Sequence, residues 1–362
     1  MAPFAPRLAL AECSSVRHGR RGTLDFFRLF PDGEQATCDG YSGTAICNHG
    51  SRMTVRPNLL RIATRRSPLA VWQARWVAAR LEQAGCSTEL VLMSSQGDED
   101  LRPIGAASSV GLFTKRIQES VLASHADLAV HSLKDLPTEP CPGLHVCAIP
   151  QRGDPRDALV SHAGHRLDEL PQGARIGTGS RRRVAQLLWC RPDLVVESIR
   201  GNVVTRLSKL DGELPLAAVV LACAGLQRLE LTDVSHRLVP LGIEWMLPAP
   251  GQGALAIECR AEEASVAQWV RGVLNDRATE QAVVAERGLL RALRGGCLAP
   301  IGSHAQVDGD RLKLLGVVLS VDGRQRLFSE SSGPAAEAAE IGQRLADKLL
   351  ADGAAEILAT AR

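Results

Sequence analysis

Aromatic residues are scarce in this sequence. Phenylalanine, tryptophan and tyrosine make up 3% of the 362 residues, and the formal net charge is only +2. Proteins that bind single-stranded nucleic acid stack bases on aromatic rings and carry a strong positive field, so this composition argues against that class. Long hydrophobic runs are also missing. The longest, such as residues 214–221, fall far short of the roughly 20 residues of a membrane-spanning helix. We expect neither nucleic acid nor membrane as a partner.

Paired cysteine spacing is absent as well. The ten cysteines are scattered, and the sequence does not open with a charged-then-apolar leader. Cys38, Cys47 and His49 match no zinc spacing and lack a fourth ligand, so we predict no metal site. A reducing, cytoplasmic location is the expectation that follows.

Lysine is the scarce cation. Only five of the 42 basic residues are lysines, and the other 37 are arginines. The guanidinium of arginine binds carboxylates and phosphates through two N–H groups and stays charged. The excess of arginine over lysine also arises from genomic base composition. Individual arginines therefore have to be judged by their positions.

Most of the chain alternates predicted strands and helices, which is typical of α/β domains with a parallel sheet. The alternation starts at Leu59, restarts after residues 151–155, and crosses a Pro/Gly-rich segment at 247–253 that suits a hinge. Residues 312–321 and 325–329 predict strands of a small α+β unit, followed by a long helix from about Pro334. Residues 1–52 differ in composition, and we interpret them as a disordered extension or a mis-assigned start.

Several arginines occupy the strand-to-helix positions where open α/β sheets bind anions. Arg65 precedes a helix that we expect Ser67 to cap, and the motif 177–180 precedes a helix that opens with further arginines. Solvated arginines at helix ends are the alternative interpretation of any one of them. The full set is Arg65, Arg182, Arg183, Arg200 and Arg206.

Two other segments carry reactive groups. His131–Asp135 places Lys134 beside Asp135 at the end of a predicted strand, where a local ion pair is the alternative to a catalytic carboxylate. Cys297 follows two glycines that favour an exposed loop, although an inert thiol is the simpler expectation for one cysteine among ten.

Six segments, in unbroken order from about Leu59 to the C-terminus, together resemble the porphobilinogen deaminase family, also called hydroxymethylbilane synthase. They are residues 61–70, 127–137, 154–157, 198–207, 251–254 and 295–302. The resemblance implies two periplasmic-binding-protein-like α/β domains with a hinge and a small α+β C-terminal domain. Its implied ranges are 58–150 with 252–272 and a lid loop at 97–112, then 155–248, then 275–362.

The resemblance also implies a chemistry. The enzyme joins four porphobilinogen molecules head to tail, with loss of ammonia, onto a dipyrromethane primer and then hydrolyses the product free. The implied catalytic residues are Asp135 and Lys134, with the cofactor attached to Cys297. The implied cofactor-binding residues are Ser132, Lys134, Asp135, Thr178, Ser180, Arg182, Arg183, Arg200 and Gly201, and the substrate-binding residues are Arg65, Ser67, Phe113, Arg200, Arg206 and Gln252.

One departure and one alternative remain. Val110 replaces a lysine that is common in the family's lid, which puts lid contacts with substrate carboxylates in doubt. The alternative function is a hinged anion-binding protein without catalysis, which would need no thiol at Cys297. A monomer is what the resemblance implies.

Overall fold

The secondary structure alternates between strands and helices through most of the chain. The computed structural model describes residues 56–93, 114–211, 215–231, 237–296 and 299–360. Within them the strands are β1 (Leu59–Arg65), β2 (Ser87–Met93), β3 (Leu128–Ser132), β4 (Leu144–Ala148), β5 (Asp157–Ser161), β6 (Arg175–Gly177), β7 (Val195–Glu197), β8 (Ala218–Ala222), β9 (Arg237–Pro240), β10 (Leu255–Arg260), β11 (Ile301–Asp308), β12 (Arg311–Leu319) and β13 (Arg326–Pro334).

The helices are mostly short and amphipathic. They are α1 (Pro68–Gln83), α2 (Lys115–Leu122), α3 (Arg181–Cys190), α4 (Val203–Leu207), α5 (Cys223–Arg228), α6 (Ala264–Leu274), α7 (Arg277–Ala292), α8 (Ala338–Ala351) and α9 (Ala354–Ala359). In this part of the chain none of them has the length and apolar character to cross a membrane.

Helix α1 begins where the sequence predicts it. Ser67 is its N-cap, the Ser67 hydroxyl accepts from the N–H of Ala70 (3.4 Å), and Pro68 occupies the first turn. Its buried face packs on the first sheet through Ala74, Val77 and Leu81. The expected N-cap is therefore confirmed, and it fixes the position of Arg65 just before the helix.

Two five-stranded sheets dominate the fold. The first has the order β2-β1-β3-β10-β4 and the second the order β7-β6-β8-β5-β9. Each is covered on both faces by apolar side chains, with Ile62, Leu128 and Ile257 among those of the first, and Leu159 and Ile176 among those of the second. The third sheet, β11-β12-β13, is antiparallel and packs against α7, α8 and α9. The predicted class, two α/β units with a small α+β unit, is confirmed.

The alternation of strands and helices predicts a parallel sheet, but both five-stranded sheets are mixed. Strands β1, β2 and β3 run parallel, but β10 is antiparallel to both β3 and β4. The chain leaves the first sheet at the end of β4 through residues 149–156, called here the first crossing. It returns to the start of β10 through residues 241–254, called here the second crossing. Because β4 ends and β10 begins at the same edge of the first sheet, β10 runs in the direction opposite to β4. Strand β5 is likewise antiparallel to β8 and β9.

The domain ranges given above stay predictions. The extension at 1–52 and the lid at 97–112, with Val110, lie outside the described residues.

A buried ion pair ties the two crossings to the third unit. Glu286 on α7 is fully buried and pairs with Arg152 of the first crossing through two bonds of 2.7 and 3.0 Å. The same carboxylate accepts from the N–H of Gly251 (2.7 Å) and from the N–H of Ala305 on β11 (2.8 Å). All four donors converge on one side chain, so removing its charge leaves a buried guanidinium uncompensated.

We expect Glu286→Gln to lower the free energy of unfolding by about 3–5 kcal/mol, since breaking a buried pair strands the Arg152 charge. Urea unfolding monitored by circular dichroism measures this. The matched control is Glu330→Gln, which removes an exposed pair with Lys313 and should change stability by less than about 1 kcal/mol. Equal effects of the two substitutions would show that the Glu286 network contributes nothing special.

Candidate active site

The end of strand β3 carries the candidate catalytic residues into a tight turn. Strand β3 ends at Ser132, and one 3-10 turn, Leu133–Asp135, follows it. Leu133 is buried, and its N–H donates to the carbonyl of Ala254 (3.0 Å). Lys134 and Asp135 therefore sit on a fixed turn at the carboxyl edge of the first sheet, where α/β sheets bind ligands.

Two adjoining pockets, called here the cleft, open beside this turn. They share Leu69, Gln73 and Ser132, and Gln73 Nε2 donates to Ser132 Oγ (2.9 Å). The first pocket is lined by cationic side chains from both α/β units, and the second by Asp135 with residues around the start of α1. The structure thus brings together these predicted residues: Arg65, Ser67, Ser132, Lys134, Asp135, Arg183 and Arg206.

Lys134 is the unusual cation of the cleft. Its Nζ donates to Gln252 Oε1 (3.3 Å), and Asp135 and Asp157 supply attractive charge. Burial penalises the ammonium, and Arg183 and Arg182 add repulsion, so the pKa of Lys134 falls to about 8. The side chain is cationic at neutral pH but is close to losing its proton.

Asp157 is the buried carboxylate next to the cleft. Arg182 Nη1 lies 2.8 Å from its Oδ2, and Arg183 Nη2 lies 2.8 Å from its Oδ1. Burial alone would raise the pKa of Asp157, but Arg182 and Arg183 together hold it well below its ordinary range. Arg182 is 4% exposed and also donates to the carbonyl of Leu247 (2.5 Å). Both contacts are made by Nη1, whereas the buried Nε has no hydrogen-bond partner in the described residues, and the cofactor-binding role of Arg182 stays a prediction.

Arg206 and its neighbours form the second-unit side of the cleft. Helix α4 is capped by Asn202, and Arg206 Nε donates to the carbonyl of Gly201 (2.9 Å). Gly201 adopts φ +100°, a left-handed conformation that favours glycine. Burial lowers the pKa of Arg206, with further repulsion from Arg183 and Arg200. These three guanidiniums therefore form one positive region.

The remaining predicted residues are not on the walls of these two pockets. Arg200 and Gly201 are exposed, Thr178 is buried, and Ser180 precedes α3 without capping it by its side chain. Gln252 is buried and donates to Asp157 Oδ1 (2.9 Å). Phe113 and Cys297 lie outside the described residues.

Gln73 and Arg228 are among the cleft residues that the sequence did not single out. Gln73 lies on the cleft face of α1, four residues after Leu69, and that helical spacing was the available signal. Arg228 lines the first pocket from the end of α5, which follows β8 directly. The strand-to-helix rule that selected Arg65 applies to α5 too, but Arg228 lies at the far end of its helix.

Two models of known protein families match this chain. The family model described as "Porphobilinogen deaminase, dipyromethane cofactor binding domain" matches residues 60–268, and the one for the C-terminal domain of the same enzyme matches 280–351. The chain belongs to the porphobilinogen deaminase family. The sequence resemblance is therefore confirmed.

Curated members of the porphobilinogen deaminase family align over nearly their whole length. The porphobilinogen deaminase of Geobacter metallireducens is 49% identical over 84% of this chain and 95% of its own, and that of Geobacter sulfurreducens is 48% identical over 83% and 94%. Among solved structures, the periplasmic aliphatic sulphonate binding protein of Escherichia coli aligns with 66% of this chain and 71% of its own, at 13% identity and a TM-score of 0.36.

The scarcity of lysine makes the ionisation of Lys134 directly measurable. In NMR spectra of protein labelled at lysine Cε, we expect one signal to titrate with a midpoint near pH 8, because burial disfavours the Lys134 ammonium. Lys134→Arg identifies the signal by removing it. A Lys134 midpoint at the ordinary lysine value, near 10.4, would contradict the burial argument.

Proposed function

We propose that the chain is a hydroxymethylbilane synthase that condenses four porphobilinogen molecules head to tail, releasing ammonia from each, and frees the linear tetrapyrrole by hydrolysis. The observation that carries this is the turn with Lys134 and Asp135, which faces cations from both α/β units across one cleft. A hinged anion-binding protein would use the same cations, but the family relation favours the enzyme.

The cleft suits the dipyrromethane cofactor, whose rings bear carboxylates. In the part of the chain that the structure describes, Lys134 and Arg206 have few partners for their donors, and the first pocket contains Arg183 and Arg228 but no acidic residue. Bound there, the cofactor supplies the primer to which the first substrate is joined. We propose Cys297 as its covalent attachment, because a thiolate forms a stable thioether.

Binding and positioning of the cofactor then fall to the cationic wall. We propose that Lys134 pairs its carboxylates through its ammonium and Arg183 through its guanidinium fork, which matches carboxylate geometry. Arg182, Arg200, Thr178, Ser180 and Gly201 complete the proposed set, with Ser132 beside the turn. Arg182 contributes through Asp157, which holds Arg183 in place at 2.8 Å.

Asp135 has the central chemical role in this proposal. Loss of ammonia from porphobilinogen leaves positive charge on the substrate's pyrrole ring, and a carboxylate beside the ring nitrogen stabilises that charge. In its acid form the same group donates a proton to the departing amine. Arg65 and Ser67 line the same pocket as Asp135 and are suited to bind the substrate's carboxylates.

The proposed substrate-binding set is completed by Phe113, Arg200, Arg206 and Gln252. Gln252 acts indirectly, by positioning other side chains, because it accepts from Lys134 Nζ and donates to Asp157. We further propose that the enzyme works as a cytoplasmic monomer without nucleic acid or membrane. The six described cysteines are free thiols, as expected in a reducing compartment.

Replacing Asp135 tests the catalytic proposal. We expect Asp135→Asn to lower kcat by about 10²–10⁴-fold, because an amide neither stabilises the developing cation nor supplies a proton. Steady-state assays with porphobilinogen measure it, and Asp347→Asn, on the exposed face of α8, is the control. Turnover close to that of the parent would remove Asp135 from the mechanism.

Intact mass spectrometry tests the cofactor attachment. The parent protein should carry a mass excess of two deaminated porphobilinogen units and give a pyrrole colour with Ehrlich's reagent. Cys297→Ala should lose both signals because it has no thiol at the attachment position, whereas Cys141→Ala, at a partly exposed cysteine elsewhere, should keep them. A parent without the excess, from cells supplied with porphobilinogen, would favour the anion-binding protein.

A further inference from the structure

A third cavity, called here the Trp cavity, lies against the first of the two crossings between the α/β units. Its volume is about 280 Å³. Trp72 and Trp76, four residues apart on α1, form its aromatic wall, and residues 151–153 of the first crossing form another part. Arg228 lines both this cavity and the cleft, whereas Trp72, Trp76 and residues 151–153 line the Trp cavity and neither pocket of the cleft.

The charges of the Trp cavity are one-sided. Among the described residues, its wall contains Arg152 and Arg228 but no carboxylate. Arg152 is satisfied, because its fork pairs with Glu286 and its Nε donates to the carbonyl of Gln252 (2.7 Å). Arg228 differs, since its bonding in the described residues is one donation to the carbonyl of Gly253 (2.6 Å), without an ion pair. Four of its five N–H donors are thus left for a ligand.

Partial burial makes the positive charge of Arg228 unfavourable in free energy. Arg228 lies among Trp72, Ala224 and Leu255, and desolvation lowers its pKa to about 10. Its Cζ lies 5.9 Å from the Trp72 ring centroid, so the ring face offers partial compensation. Arg80 adds positive charge nearby, 4.9 Å above the Trp76 ring. An anion at Arg228 would offset this cost.

The aromatic and the cationic parts of the wall together restrict the class of ligand that the Trp cavity can bind. A small inorganic anion would pair with Arg228 but would leave both indoles without contact, and a neutral hydrocarbon would leave the guanidinium unpaired. We propose that the Trp cavity binds a single-ring aromatic carboxylate, with the ring against Trp72 and Trp76 and the carboxylate on Arg228. Porphobilinogen is one compound of this class, but the proposal does not depend on the function proposed above.

A ligand in the Trp cavity would contact a residue, Arg228, that is hydrogen-bonded to the second crossing. The N–H of Gly153 donates to the carbonyl of Gly253 (3.2 Å), and Gly253 has φ +88°. A Cβ at Gly253 would lie 2.6 Å from the Gly153 carbonyl, so the crossings are in close contact there. Arg228 holds the same Gly253 carbonyl. A carboxylate on Arg228 therefore acts on the contact point between the two crossings.

Phenylacetate is a suitable compound to test the proposal, because it has one ring and one carboxylate and does not react with the enzyme. We expect it to bind the holoenzyme in isothermal titration calorimetry and to change the tryptophan fluorescence. Acetate, which lacks the ring, and benzyl alcohol, which lacks the charge, should bind far more weakly. Trp76→Leu should weaken phenylacetate binding roughly five- to tenfold, and Trp76→Phe should restore most of it.

A cleft variant separates the two cavities that share Arg228. Arg206→Gln changes the cleft but not the Trp cavity, so phenylacetate binding should persist in it. Loss of binding in Arg206→Gln with retention in Trp76→Leu would place the ligand in the cleft and overturn the proposal. Equal binding of acetate, or no binding of phenylacetate, would overturn it too. Both tests are independent of turnover, so failure of the proposed enzymatic function would not mimic either result.

Discussion

The buried carboxylate of Asp157 is the interaction on which the arrangement of the cleft depends. It is 0% exposed at the start of β5, where the chain enters the second sheet, and it pairs with Arg182 and Arg183 of α3. Gln252 of the second crossing donates to the same carboxylate and to the carbonyl of Pro155 (2.8 Å), and accepts from Lys134. The Gln252 side chain thus connects the second sheet, both crossings and the Leu133–Asp135 turn. A charge buried so completely is tolerated only with such partners, and this fixes where α3 and Gln252 must lie.

Local signals in the sequence were sufficient for several of the elements and for part of the cleft. Ser67 and Pro68 mark the start of α1, and the turn after β3 places Lys134 and Asp135 at a sheet edge. These features depend on neighbouring residues, which is why a pattern detects them. Strand β5 begins with a charged residue, and nothing local shows that Asp157 is neutralised by arginines about 25 positions later.

Local sequence also does not show which of the arginines reach the cleft. Arg182 and Arg183 open α3 and look alike in sequence, yet both are bound to Asp157, and Arg183 alone of the two also reaches the wall of the cleft. Arg228 was overlooked because its place in the cleft depends on how β8 and α5 pack against α1, which is a tertiary contact. Sequence position predicts which edge of a sheet a residue occupies, and tertiary packing decides which partner it meets.

Stability and binding are opposed in this cleft. Burial lowers the pKa of Lys134, Arg206 and Arg228 alike, so each cation is held in a place that disfavours its charge. The free protein bears that cost, and a carboxylate ligand that binds only the folded state removes part of it and stabilises the fold by mass action. The acidic residues that would neutralise these cations permanently are placed elsewhere: Asp157 holds the base of the wall and Glu286 holds the crossings. A fold that neutralised every cation internally would be more stable without ligand, but it would have no charge left with which to bind one.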